Sequence, residues 1–266
     1  MSFNDEYAAA RKQADEFEGM MAPASIAIFQ SLLSFQRDEG IAGDMCEFGV
    51  YRGRSASVLL RNLHEGEALH LVDKAEYPEF DKLSKISRNY TFTQGKSEEL
   101  LASEEFLRAF PKSVRFSHHD ASHAYVNVTA EMKAMAHRIA PRGVMALDDF
   151  GNPCYMQVIA ACFAYLTSAA SPIELFLFSS NKAYLCRKED FDYFHNYLIN
   201  RLMPEINGAG HNFYLGRTEV DPRYRGFSLV QKSNPNQPDF YGRPQRHAHL
   251  YGVPEARDAE KSMEMM

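Results

Sequence analysis

The sequence predicts an α/β fold: an open, mostly parallel sheet, preceded by a pair of helices and followed by an extension of different character. Three observations predict it. Short apolar runs of strand length alternate with longer runs of helical period between residues 44 and 187. Several of those apolar runs end in an acid, namely Glu47, Asp73, Asp120 and the pair Asp148-Asp149. The first run also ends in a glycine turn, Glu47-Phe48-Gly49-Val50-Tyr51-Arg52-Gly53-Arg54-Ser55, and Ser55 opens the helix that follows. A glycine turn at the carboxyl end of a first strand is where open α/β sheets receive a nucleotide-like ligand.

The elements follow in order. Residues 6–18 and 25–36 read as helices, and in the second Ile26, Phe29, Leu32, Leu33 and Phe35 fall mostly on one face. Gly40 and Gly43 punctuate the approach to the first strand, 45–50, and a helix spans 55–63. Residues 68–72 form the second strand, closed by Asp73; 90–93 form a weaker third, followed by one helix from Ser97 to about Phe110. The fourth strand, 114–118, ends at His119 and Asp120, and the next helix, 126–139, stops before Pro141-Arg142-Gly143. The fifth strand, 144–147, ends at Asp148-Asp149. An apolar helix over 155–167 precedes strands at 173–178 and 183–186, a hairpin turned by Ser179-Ser180-Asn181-Lys182. A helix over 191–203 and a short last strand over 227–231 complete the pattern. Residues 233–266, rich in Pro, Gly, His and charge, read as a surface wrap, an oligomer arm or disorder. The expected organisation is a helical cap at 1–42, the sheet core at 43–190 and the extension at 191–266.

Composition narrows the function. With 266 residues, 45% of them hydrophobic, the chain can bury a substantial core. A net charge of −6 argues against a nucleic-acid partner, which demands a basic face. No apolar run approaches the roughly 18 residues of a membrane span, and residues 1–18 are polar and acidic rather than leader-like. Cys46, Cys154, Cys162 and Cys186 are far apart and without a Cys-x-x-Cys pair, so reduced, buried thiols are expected rather than disulfides or zinc. A cytoplasmic enzyme fits these features.

The chemistry begins at the glycine turn. Its spacing, Glu-x-Gly-x-x-x-Gly-x-Ser, is not the Gly-x-Gly-x-x-Gly that presses a helix terminus against a pyrophosphate. That disfavours a nicotinamide oxidoreductase and suits a ligand with adenosine but no phosphate, of which S-adenosylmethionine (SAM) is the commonest. In a parallel sheet the carboxyl ends of the strands share one edge, so the acids converge on one crevice. Asp73 can accept both ribose hydroxyls, or it can cap the following helix; Glu47 can contact the ligand or bond its own turn. Gly95 and Ser97, in Gln94-Gly95-Lys96-Ser97, suit an adenine site or an ordinary helix cap. Asp148 and Asp149 beside Asp120 offer the all-oxygen set a hard ion such as Mg²⁺ prefers; alternatively one caps the helix near Pro153 and the other faces water. His118, His119, His123 and Tyr125 gather about Asp120. His123, in the loop, is the candidate general base, and His118 reads as a packed strand residue.

Taken together, these residues resemble the class I SAM-dependent methyltransferases, and in particular the macrocin-O-methyltransferase-like branch that modifies sugars and natural products. The resemblance runs through the glycine turn, Val72-Asp73, Gln94-Gly95-Lys96-Ser97, Asp120-Ala121-Ser122-His123-Ala124-Tyr125 and Pro141-Arg142-Gly143-Val144-Met145-Ala146-Leu147-Asp148-Asp149. It implies a Rossmann-like sheet of seven strands with a terminal antiparallel hairpin, capped over the substrate by the leading helices and the C-terminal segment. It implies SAM bound by Glu47, Gly49, Tyr51, Gly53, Ser55, Asp73, Gly95, Ser97 and Asp120, and Mg²⁺ bound by Asp120, Asp148 and Asp149. His123 and Asp120 would be the catalytic pair for O-methylation of a small hydroxylated metabolite. The N-terminal helices and long tail suit a homo-oligomer, and charge and hydropathy leave neither nucleic-acid nor membrane partners expected. The chain departs from the family where Ser122 replaces a second acid, Ala121 a glycine, and Arg142-Gly143 a Gly-Gly pair. Metal-independent N-methylation and a non-catalytic SAM-binding protein of the same fold are the alternatives.

Overall fold

In the computed structural model, which describes residues 1–217, 226–234 and 236, five strands run parallel. They are β1 (Asp44–Phe48), β2 (Leu69–Asp73), β3 (Tyr90–Gln94), β4 (Val114–His119) and β5 (Ile139–Leu147), in the order β3-β2-β1-β4-β5. The order reverses between β1 and β4, so the crevice lies outside their carboxyl ends. The hairpin β6 (Ile173–Ser179) and β7 (Lys182–Arg187) joins through β7, antiparallel to β5. Ser180 and Asn181 both have positive φ (50° and 70°), the geometry of a two-residue turn that matches strand twist. β8 (Phe213–Arg217) and β9 (Phe227–Gln231) form a second antiparallel pair, with β9 parallel to β6.

Both faces of the sheet are covered, which is why its central strands are apolar on both sides. Met45, Phe116, Val144 and Ala146 point to one face, under α1 (Phe3–Ala14), α2 (Pro23–Asp38), α3 (Arg54–Arg61) and the short α4 (Phe80–Leu83). Cys46, Phe48, Met145 and Leu147 point to the other, under α5 (Ser97–Leu101), α6 (Glu104–Ala109), α7 (Tyr125–Ala136) and α8 (Met156–Leu166). α9 (Phe191–Tyr197) and α10 (Met203–Gly208), joined by one wide helical turn, complete the first layer. α2 starts on Pro23, whose fixed φ suits a first helical turn, and is buried from Ser25 to Gln36. Its buried Gln36 is satisfied by Arg115, accepting from Nη1 at 2.9 Å and donating to the Arg115 carbonyl at 2.8 Å. The fully buried Arg115 guanidinium also pairs with Glu67, at 2.7 Å from Nη2.

Several expectations are corrected. The resemblance implied seven strands, but the sheet has nine: the strand expected at 227–231 is present as β9, and β8, which was not expected, pairs with it at the edge. The helix expected from Ser97 to Phe110 breaks in two, since Ser103 turns its hydroxyl to the Phe106 N–H and caps a new helix. The helix expected to reach residue 139 ends at Ala136, and β5 begins at Ile139. Pro141-Arg142-Gly143 is a bulge inside that strand, with Arg142 at φ 58°. Cys46, Cys162 and Cys186 are buried, as expected, but Cys154 is exposed. Most of the 233–266 tail lies outside the described residues. No helix among the described residues is long and apolar enough to cross a membrane.

Candidate active site

The site starts where β1 ends. Gly49 has φ 83°, and a Cβ built on it would lie 2.1 Å from the Asp120 carbonyl oxygen. Only glycine lets the ends of β1 and β4 close to this distance, with Asp120 N–H donating to the Phe48 carbonyl at 2.7 Å. Tyr51 follows with φ 47°, a conformation side chains adopt at a cost. Asp73, from the end of β2, supports it: its Oδ2 accepts from the Val50 and Tyr51 N–H groups at 2.7 and 2.8 Å, and its Oδ1 from Ala75 N–H at 3.1 Å. A carboxylate has about four lone-pair sites, so Asp73 fixes the turn and retains capacity for a ligand.

Over this edge lies a cavity of ≈ 880 Å³, inside the range of about 300–1,000 Å³ typical of small-molecule sites. Gly49, Tyr51, Ser55, Asp73, Gly95, Ser97, Asp120, His123, Asp148 and Asp149 line it. Two of the expected residues stand behind the lining. Gly53 caps α3 at φ 90° and donates to the Val50 carbonyl at 2.9 Å, holding the turn from below. Glu47 is fully buried beneath it. A wider surface depression of ≈ 1200 Å³, bordered by Glu6, Lys12, Arg37, Arg61 and His64, contains none of these groups, so the chemistry decides for the strand-end cavity.

Beneath the floor runs a buried polar chain that sequence reasoning missed. Glu47 Oε1 lies 2.6 Å from His118 Nδ1, His118 Nε2 lies 3.2 Å from Lys182 Nζ, and Lys182 donates to Asp148 Oδ2. Burial, reinforced by the Lys182 charge, holds His118 well below its ordinary pKa. An ammonium at Nε2 makes that nitrogen the acceptor, so Nδ1–H donates to an ionised Glu47. Burial opposes this charge and pushes Glu47 up to about 8, while Ser55 and Lys182 act the other way. At neutral pH burial and this hydrogen-bond pattern act on Glu47 in opposite directions. Hydrogen-bond direction decides, because a proton on Glu47 would put N–H groups face to face between His118 and Lys182. Lys182 escaped notice because it looks like the polar tip of a hairpin; the β5–β7 pairing, Leu147 with Ala183, brings it beside Asp148.

At the cavity mouth Asp120, His123 and Asp149 meet. His123 Nε2 is 2.6 Å from Asp149 Oδ2 and 3.9 Å from Asp120 Oδ1, yet out of line for a hydrogen bond. Its ring stacks on Tyr155, centroids 3.8 Å apart at 11°. Asp149, at φ 55°, has its other oxygen held by the amides of Asn152 and Asn181 at 2.9 and 2.6 Å. Burial and the adjacent Asp148 carboxylate push Asp120 well above its ordinary pKa, although about a third of its side chain faces the cavity solvent. Among the described residues two sets have metal-ligand spacing: His118, Asp120 and Asp148, and Asp120, His123 and Asp149. Asp120 is common to both. The three aspartates expected to share one ion are therefore divided: Asp148 turns to Lys182, and Asp149 to His123. Ser122, where an acid was expected from the resemblance, accepts from the Asn127 amide at 2.9 Å and shapes the loop.

Comparison with known proteins adds to this geometry. Residues 46–150, from the first strand to just past Asp149, match a family described as a methyltransferase domain. Among solved structures, CalS11, a TDP-rhamnose 3'-O-methyltransferase of calicheamicin biosynthesis, superposes with a TM-score of 0.50 at 15% identity, over 70% of this chain and 94% of that one. The O-methyltransferase NovP gives 0.53 at 12% identity, over 64% and 81%. MycE of the mycinamycin pathway, in complex with Mg, SAH and mycinamycin VI, gives 0.50 at 13% identity, over 68% of this chain and 54% of that one. These likenesses show a shared fold. No curated protein matches the sequence.

Proposed function

We propose that the chain is a class I SAM-dependent methyltransferase, as its methyltransferase-domain match and shared fold support, and that it methylates a hydroxyl oxygen of a small polyhydroxylated metabolite, a sugar or a sugar-bearing natural product. The observation that carries this reading is the union of two features in one cavity: the turn held by Asp73, and the acidic cluster of Asp120, Asp148 and Asp149 with His123. CalS11, a TDP-rhamnose 3'-O-methyltransferase, and MycE, a methyltransferase of the mycinamycin pathway, share the fold and support this reading.

In this reading Gly49, Tyr51, Gly53 and Ser55 shape the turn around the amino-acid part of SAM. Asp73 gives its remaining acceptor capacity to the ribose, and Gly95 and Ser97 border the base. Glu47 acts from beneath, fixing His118. The chemistry of the donor set fits a divalent ion at Asp120 and Asp149, whose carboxylate oxygens would hold it; Asp148, engaged by Lys182, stands behind them. Such an ion, when bound, lowers the pKa of an acceptor hydroxyl and fixes its oxygen. The chain's own work is positional. His123, held flat against Tyr155, would receive the hydroxyl proton at Nε2, and Asp120 lines the same cavity beside it. Much of the rate comes from aligning the two reactants.

Lys182 favours a second reading. Its ammonium already neutralises Asp148, which suits a metal-independent reaction, including transfer to nitrogen. The test is SAH release from SAM with a panel of polyhydroxylated acceptors and their amino analogues, with and without chelator. The proposal predicts turnover on a hydroxyl that falls when Mg²⁺ is removed. Turnover only on amines, or a rate indifferent to chelator, supports the second reading instead.

A further inference from the structure

A second buried polar set borders the cavity, and of its members only Ser97 enters the reading above. Ser97 Oγ donates to Glu131 Oε1 at 2.5 Å, His119 Nδ1 meets Glu131 Oε2 at 2.9 Å, and His119 Nε2 meets Ser117 Oγ at 3.1 Å. All four residues are buried, and around them pack Leu101, Val128 and Met132. The His119 ring lies on Phe48, with centroids 5.1 Å apart at 20°. A carboxylate in such surroundings is strongly disfavoured unless its oxygens are hydrogen-bonded.

The directions of these hydrogen bonds follow from the donors available. As a carboxylate Glu131 only accepts, so the Ser97 hydroxyl and His119 Nδ1–H both donate to it. His119 Nε2 is then free of hydrogen and accepts from Ser117. The consequence falls on Ser97, which lines the cavity. Its single hydrogen is committed to Glu131, and it can offer a ligand only lone pairs.

We propose that Glu131 and His119 are positioning residues that make Ser97 an obligatory acceptor for the 6-amino group of the cofactor's base, so that the chain selects an adenosyl cofactor over a 6-oxo purine. The inference rests on the cofactor placement proposed above. Asp73 at the end of β2 takes the ribose, while Ser97 follows β3, one strand further from the acidic cluster on β4 and β5. The base extends toward Ser97, away from the acceptor. An amino group there donates into the Ser97 lone pairs; a 6-oxo group sets oxygen against oxygen and leaves a buried acceptor unpaired.

The experiment compares two ligands by equilibrium titration: S-adenosylhomocysteine and its 6-oxo analogue, S-inosylhomocysteine. The wild type is expected to prefer the adenosyl ligand by about 10- to 100-fold, the size of one unpaired buried polar group. Ser97→Ala brings the two affinities within about threefold, by weakening the adenosyl ligand. Glu131→Gln has an amide that can donate to Ser97 and release the hydroxyl hydrogen toward the cavity, so the preference collapses or inverts while thermal melting still reports a folded protein. A merely structural role for Glu131 would weaken both ligands together and leave their ratio unchanged. Equal wild-type affinities, or a ratio that neither substitution alters, overturn the proposal and leave the cofactor site standing. A wild type that binds neither ligand overturns the cofactor placement itself. Should Glu131→Gln fail to fold, the Ser97→Ala ratio decides.

Discussion

Replacing Gly49 by alanine perturbs the site at the point where its two halves touch. Two independent penalties arise from the one added methyl. The residue sits at φ 83°, where a side chain costs on the order of 1–2 kcal/mol. The new Cβ would also stand 2.1 Å from the Asp120 carbonyl oxygen, 2.3 Å from its carbon and 2.5 Å from Ala121 N. Carbon contacts settle near about 3.5 Å, so the loop carrying Asp120 has to retreat by about 1 Å or more. The opposing atoms are backbone, and no rotamer relieves them. Together the two effects destabilise the fold by about 2–4 kcal/mol, a melting shift of roughly 4–16 °C for a chain of this size. Displacement of Asp120 on that scale lowers methyl transfer by about a hundredfold or more. Differential scanning fluorimetry and SAH release read both effects. A Gly49→Ala protein that melts within about 2 °C of wild type and turns over at the wild-type rate would refute the claim that this glycine sets the approach of β1 to β4.

Three further outcomes are expected. Lys182→Met removes a cation from a buried set and leaves Asp148 and His118 without it; the cost, about 3–5 kcal/mol, is measured by denaturant unfolding, and a loss below about 1 kcal/mol contradicts the pairing. Asp149→Asn, which should keep the amide contacts to Asn152 or Asn181, is expected to abolish the proposed dependence of rate on Mg²⁺; a full Mg²⁺ response in the variant takes Asp149 out of the proposed ion site. Burial works to raise Glu67, but Arg115 and the His64 and Gly43 N–H groups hold it below its ordinary pKa. A depressed carboxylate stabilises above its unfolded pKa, near about 4.3, and that stability is lost as pH falls through the lower folded value. The acid limb of the stability curve below about pH 4.5 should therefore flatten in Glu67→Gln, and an unchanged limb assigns acid sensitivity elsewhere.

The glycine turn and the acids of the strand-end cavity were legible in the sequence because they depend on local signals. A glycine turn after an apolar strand, and single acids at strand ends, are visible within a few residues, and the parallel arrangement carries them to one edge. What stayed hidden depends on pairing across the sheet. Lys182 sits one residue past a hairpin turn, and only the antiparallel register of β7 against β5 places it under Asp148. Glu131 is a polar residue in an otherwise helical pattern; its burial against Ser97 and His119 comes from the packing of α7 onto the sheet. The strand β8 was missed because Phe213–Arg217 is short and gains its partner from β9, after the intervening residues. The break at Ser103 was missed because a serine within an acidic, apolar-periodic stretch is ordinary in a helix until its hydroxyl is seen to cap the next one. Pro141-Arg142-Gly143 reads as a stop between elements, whereas the strand accommodates it as a bulge.

The measurement that tests the account most directly is a calorimetric titration of S-adenosylhomocysteine into the wild type and Asp73→Asn. The Asp73 carboxylate holds the Val50 and Tyr51 N–H groups and faces the cavity. An amide in its place keeps one acceptor and sacrifices the charge. One saturable site is expected in the wild type, with binding weaker by about tenfold or more in the variant. Absence of binding heat in the folded wild type, or identical affinity in the two proteins, would contradict it.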